Sequence, residues 1–268
     1  IGLSLGTMGL PHILLRFYTN PSAKDARYSA LFAIFIASTF FAIALYLGTV
    51  GRYVFLTGAK AGTIAPDIFK AFVTGGQNMV VPATAWVIGG KWLLGFVIAG
   101  AFAAVFSNLS GLFIASSSAL GHDVYTHFVN KNATERQRVV AGKISVVIVG
   151  VLYGILGLLV KTASIGHLVG LAFNVAASTF APIFLLGIWW RGMTEKGAIW
   201  GMVVGLASSM YMIFFVKTLP VWMQWRIPGL VTVPLAFLTV YIVSKIDGKV
   251  PGDVNDFMRR IHQPEFKA

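Results

Sequence analysis

Chemistry in this chain has to come from neutral oxygen. At about 100° per residue, Gly100, Ala104, Ser107, Asn108, Gly111, Ala115 and Ser118 fall on one helical face, with Phe102, Phe106, Leu109 and Phe113 opposite. A hydroxyl, an amide and a backbone carbonyl within one helical turn could ligate a hard monovalent cation. The same spacing also reads as plain helix packing, with Ser107 bonding back to the carbonyl of Ala103. A second candidate is Gly6-Thr7-Met8-Gly9-Leu10-Pro11-His12, whose glycines and proline break a helix. At membrane depth such a break is tolerated where freed backbone lines a covered cavity, and a restarted half-helix points its positive end at a substrate anion. An ordinary kink at the membrane edge fits this segment equally. Asn174, Ser178, Thr179 and Pro182 form a third polar, proline-broken stretch.

Other chemistries are excluded by composition. There is no cysteine, so disulfides, thiolate catalysis and Cys-based metal sites are out. His12, His122, His127, His167 and His262 offer no i, i+4 pair. No ionisable side chain lies in an apolar span apart from the edges, which removes voltage sensing and an acidic or histidine proton relay. No catalytic dyad falls in the spans either, so the chain is not expected to be an enzyme.

The elements that carry these residues follow from hydropathy. Of 268 residues, 57% are hydrophobic and 11% charged, against about 25% charged in a soluble domain. The solvent must be lipid, and the fold class expected is an all-α polytopic membrane helix bundle forming a single domain. Spans of the required ~20 apolar residues are expected at about 29–50, 92–120, 144–160, 168–190, 197–216 and 227–244, behind a broken half-helix at 1–17 and before a cytoplasmic tail at 245–268. The net charge of +12 reads as topology signal and contact with anionic lipid rather than nucleic acid. With 17–28 inside, 14 of the 21 Lys and Arg lie on the inner side, as the positive-inside rule prefers. The long outer stretch 51–91 is expected to carry a short helix at 65–73. Gly197, Gly201 and Gly205 read as a packing face, and Trp189-Trp190-Arg191 as an interfacial anchor. Ile1, in an apolar glycine-rich segment, reads as the interior of a longer chain whose N-terminal half is missing.

Three segments resemble the sodium:solute symporter family. Gly9-Leu10-Pro11-His12-Ile13-Leu14-Leu15-Arg16-Phe17 is similar to the motif after the family's broken sixth core helix, and Gly6 to His12 is closest to the acetate and monocarboxylate branch. Ala103 to Ser118, ending in Gly121-His122-Asp123-Val124-Tyr125, resembles the eighth core helix and its cytoplasmic exit. Pro182 to Trp189, then Thr194-Glu195-Lys196-Gly197-Ala198, resembles the tenth core helix and its exit loop.

The resemblance implies the second half of a five-plus-five inverted repeat with two peripheral helices, in the plasma membrane. It implies sodium-coupled symport of a small monocarboxylate such as acetate by alternating access, with no cofactor beyond the coupling ion. Sodium would be held by the Ala104 carbonyl, Ser107 and Asn108, the last standing where the family usually has Ser or Thr, and by first-helix carbonyls outside this chain. Gly6, Thr7, Gly9, Asn174 and Ser178 would contact substrate. The alternatives are a transporter-like sensor domain signalling to a missing module, and a symporter of the same family for another solute such as proline.

Overall fold

The computed structural model describes residues 2–262 apart from positions 11, 12, 15, 16, 18, 62–65, 161–163, 219, 222, 223, 225, 226 and 251. Among the described residues all regular structure is helical. Six of the helices among the described residues are long and apolar enough to cross a membrane. The fold class is therefore the polytopic all-α bundle that the hydropathy implies. The chain divides into two compact units, Phe17–Ser164 and Ile1–Arg16 with Ile165–Ala268.

In the unit formed by Ile1–Arg16 and Ile165–Ala268, a short helix α1 (Gly2–Gly6) runs into a 3-10 turn at Thr7–Gly9. Leu10 then turns extended (φ −94°, ψ 110°), and helical bonding resumes with the Ile13 and Leu14 amides donating to the Leu10 carbonyl. Pro11 and His12, which belong to the same expected break, lie outside the described residues. In the other unit, α2 (Ala23–Ala61) starts where the Ser22 hydroxyl accepts from the Asp25 amide (3.1 Å). It continues well past residue 50, where hydropathy places the loop: Thr49 and Thr57 satisfy their hydroxyls on carbonyls of their own helix, so polar residues do not end it. After α3 (Pro66–Gly75), Gly76 adopts φ +57°, the left-handed stop expected after such a helix.

The next helix, α4 (Val80–Ser118), is also longer than expected, because it begins before a break at Gly90. Gly90 has φ 61° and ψ −156°, a region open to glycine alone. Beyond Ser118 the chain continues as a π-helical stretch, Ala119–Val129, closed by the Asn130 amide on the Tyr125 carbonyl (2.8 Å). A capping box between Thr134 and Gln137 then starts α5 (Glu135–Leu159). α4 meets α5 through Phe113, whose ring lies 5.3 Å from that of Tyr153, and through Ser116, whose hydroxyl is 3.0 Å from Tyr153 Oη.

Three spanning helices complete the first-described unit: α6 (Ile165–Trp189), α7 (Glu195–Phe214) and α8 (Gly229–Asp247), followed by a short α9 (Val254–His262). Thr194 caps α7, accepting from the Gly197 amide, and Gly248 ends α8 in the left-handed conformation. Gly197 and Gly201 of α7 lie against Ser244 and Val240 of α8, so this glycine face is a packing face.

Candidate functional site

The cation candidates lie on α4, in the unit Phe17–Ser164. Ala104, Ser107 and Asn108 share one face, and all three are exposed. The Asn108 amide donates to the Ala104 carbonyl (Nδ2–O 3.0 Å), and the Ser110 hydroxyl donates to the Ser107 carbonyl (2.8 Å). Two of the three expected ligands are thus already in mutual contact. Phe113, on the side of α4 opposite this small face, meets α5. α4 packs on α5 with that opposite side, where the Phe113 ring lies against Tyr153 and beside Gly150. Phe102 and Phe106 do remain outside, stacked on each other and exposed.

Among the described residues no group of three or more His, Asp or Glu could hold a metal. The donors on α4 are neutral oxygens, the type suited to sodium rather than to a transition metal. As it stands, the Asn108 amide presents nitrogen to the Ala104 carbonyl. Rotating that amide would set two oxygens about 3 Å apart, an arrangement that repels unless a cation lies between them.

The substrate candidates lie in the other unit, where α1 is seated on α6. Gly6 and Gly9 are buried: a Cβ at Gly6 would strike the Phe173 carbonyl, and one at Gly9 would come within 2.6 Å of the Ala176 carbonyl. Their missing side chains are what let the broken segment lie against α6. Thr7 points the other way, exposed, its hydroxyl donating to the Ser4 carbonyl (2.9 Å). Asn174 and Ser178 sit beneath, both fully buried. The Ser178 hydroxyl donates to the Asn174 carbonyl (2.9 Å) and lies 2.7 Å from the Thr232 hydroxyl, while Asn174 Nδ2 is 3.4 Å from Ser209 Oγ. This knot joins α6, α7 and α8.

Ser209 and Thr232 were not visible as partners in the sequence, since either hydroxyl can satisfy itself on its own helix. The usable signal was their position, with Thr232 two residues before Pro234 and Ser209 one turn past Gly205. Pro182 explains the close approach at Gly205. Lacking an amide proton, it leaves the Ser178 carbonyl without its helical donor, and a Cβ at Gly205 would occupy the space in front of that oxygen. Asn174 Oδ1 is buried with no hydrogen-bond partner, beside Gly229 at the start of α8.

The π-helical exit of α4 was also missed. Gly121 there packs directly on Gly142 of α5, where a Cβ would fall 2.5 Å from the Gly142 Cα. His122 Nδ1 and Asp123 Oδ1 are 3.0 Å apart on its exposed side.

Among the described residues, six helices long and apolar enough to cross a membrane make this a multi-pass membrane protein. The sequence profile of the sodium:solute symporter family matches residues 1–205, most of the chain, and the protein belongs to that family. Members couple sodium to solute movement and are transporters, not enzymes. No solved structure matches the chain.

Proposed function

We propose that this chain is the cation-binding and substrate-gating part of a sodium-coupled symporter for a small monocarboxylate such as acetate. The observation that carries the reading is the α4 face, where the Ala104 carbonyl, Ser107 and Asn108 stand together within the family-matched residues. One helical turn offers about three oxygens, fewer than a sodium ion takes up. The remaining ligands come from other helices that cover this exposed face. Binding is accompanied by rotation of the Asn108 amide, so that its oxygen and the Ala104 carbonyl face the ion together.

On the substrate side, the break at Gly9 and Leu10 frees backbone groups next to the exposed Thr7. Gly6 and Gly9 act by bringing that break against α6, and Asn174 and Ser178 by holding α6 to α7 and α8 behind it. A carboxylate needs no fixed basic residue there, because half-helix dipoles and polar backbone near Gly6 to Gly9 hold it. The sodium gradient drives the cycle by favouring the outward-open, substrate-competent state, in the plasma membrane.

The test is competition in proteoliposomes containing the full-length protein that carries these residues. Sodium-driven uptake of labelled acetate should be blocked by propionate and pyruvate and unaffected by proline or glucose. Inhibition by proline without inhibition by monocarboxylates would move the protein to another substrate class. Solute binding without any uptake would favour the sensor reading.

A further inference from the structure

The short helix α9 lies beyond the family-matched residues and has no place in the transport site. At about 100° per residue, Val254, Phe257, Met258 and Ile261 gather on one side of it, with Asn255, Asp256, Arg259, Arg260 and His262 on the other. Only part of the apolar side is used within the chain. Met258 is buried at 5% exposure, whereas Phe257 and Ile261, on the same side, are 51% and 42% exposed. Val254, Phe257 and Met258 close over a cavity of about 230 Å³ against Trp190, Met193 and Ala198, at the turn between α6 and α7.

That turn marks the height of α9 on the bundle. The end of α6, the start of α7 and the end of α8 meet there, with the Trp190 ring 5.1 Å from Tyr241, the Lys245 ammonium 5.8 Å from the Tyr241 ring, and Lys196 paired to Asp247 at 2.9 Å. Trp189 is 73% exposed, and its ring lies 5.2 Å from that of His262 in α9. Exposed tryptophan and neighbouring Trp and Tyr rings at the ends of spanning helices mark the boundary between hydrocarbon and headgroups. α9 is attached at that boundary, on the side that the charge distribution assigns to the cytoplasm.

Its charges suit that level. Arg259 and Arg260 are exposed, and among the described residues neither has an ion-pair partner. Lys245 and Lys249 stand nearby in sequence. Asp247 is already neutralised by Lys196, which leaves Asp253, Asp256 and, on the turn beneath, Glu195 as the local acids against Lys245, Lys249, Arg259, Arg260 and the Arg191 of that turn. A half-covered apolar face flanked by unpaired arginines at headgroup height is complementary to an anionic leaflet.

We propose that α9 is a membrane-surface anchor that binds anionic phospholipid, with Phe257 and Ile261 entering the headgroup boundary and Arg259 and Arg260 holding lipid phosphates. Because Met258 and Val254 rest on the α6–α7 turn, lipid binding to α9 braces that turn. The inference is independent of the substrate and of the sodium ligands.

The absence of cysteine makes the test direct. A nitroxide is attached in turn to Ile261→Cys, Phe257→Cys and Asn255→Cys, with the protein in nanodiscs of phosphatidylcholine alone or of a mixture rich in phosphatidylglycerol. Collision with oxygen, which concentrates in lipid, is compared with collision with a water-soluble nickel chelate. In the anionic discs, positions 261 and 257 should favour oxygen while 255 favours nickel. Arg259→Gln with Arg260→Gln should weaken the preference for anionic discs, by about fivefold per arginine in the partition ratio. Nickel dominating at 261 in anionic discs would overturn the proposal. So would shielding of 261 from both reagents, the mark of a protein partner, or a lipid preference unchanged in the double Gln variant.

Discussion

Asn174 Nδ2 lies 3.4 Å from Ser209 Oγ across two spanning helices, with neither residue exposed. The contact is long, and the other end of the same amide, Oδ1, is buried without a partner. Asn174 is therefore a half-satisfied polar group in an apolar interior, where stranding a second atom costs more than the bond itself contributes.

That asymmetry makes a stability prediction. Ser209→Ala leaves the Asn174 amide wholly unpaired and should destabilise by about 1 kcal/mol, the scale of interhelical hydrogen bonds in membranes. Asn174→Leu removes both orphaned atoms and lets Ser209 bond a carbonyl of its own helix, so it should cost less than Ser209→Ala. Thermal unfolding of the two variants in detergent gives the order; a larger loss for Asn174→Leu would show that the amide has a stabilising partner.

Gly205→Ala and Gly6→Ala should both be poorly tolerated, because the new methyl meets a backbone carbonyl that cannot move aside. Overpacking of this type costs about 1–3 kcal/mol. Gly154 of α5 has open space around it, and Gly154→Ala should be neutral or stabilising through helix propensity. Yield of folded protein by size-exclusion chromatography separates the three; equal yields would refute the close approach of α1 and α7 to α6.

The spanning segments were legible because length and apolarity suffice to require a helix in lipid. What escaped was geometry that lipid does not dictate. Gly89-Gly90-Lys91 reads as the end of the outer stretch, and what the sequence did not show is that helix runs on both sides of Gly90, broken there by its φ of 61°. Phe113 satisfies either lipid or a neighbouring helix, so its side of α4 could not be assigned until Gly150 was seen opposite. The candidate oxygens of Ala104, Ser107 and Asn108 were legible as a cluster, since they share one turn. The pairing of Asn108 with Ala104 was not, because an amide chooses its orientation from surroundings that sequence spacing does not record.

That pairing predicts a graded series at position 108. Asn108→Ser should retain sodium dependence, since a hydroxyl replaces the amide oxygen. Asn108→Leu should abolish sodium-dependent uptake, since it removes the side-chain ligand and covers the Ala104 carbonyl. Asn108→Asp should bind sodium more tightly and release it more slowly, because a full charge replaces a dipole. Uptake rates against sodium concentration order the series; indifference to Leu would exclude this position as a ligand.

The most direct measurement of the central claim is the sodium activation curve of Ser107→Ala in the full-length protein, with acetate uptake as readout and folding checked in parallel. If Ser107 contributes an oxygen to the ion, the half-activating sodium concentration should rise by about tenfold, equivalent to about 1.4 kcal/mol, while uptake at saturating sodium largely returns. A folded Ser107→Ala protein with an unchanged activation curve would contradict the assignment of the coupling ion to this face of α4.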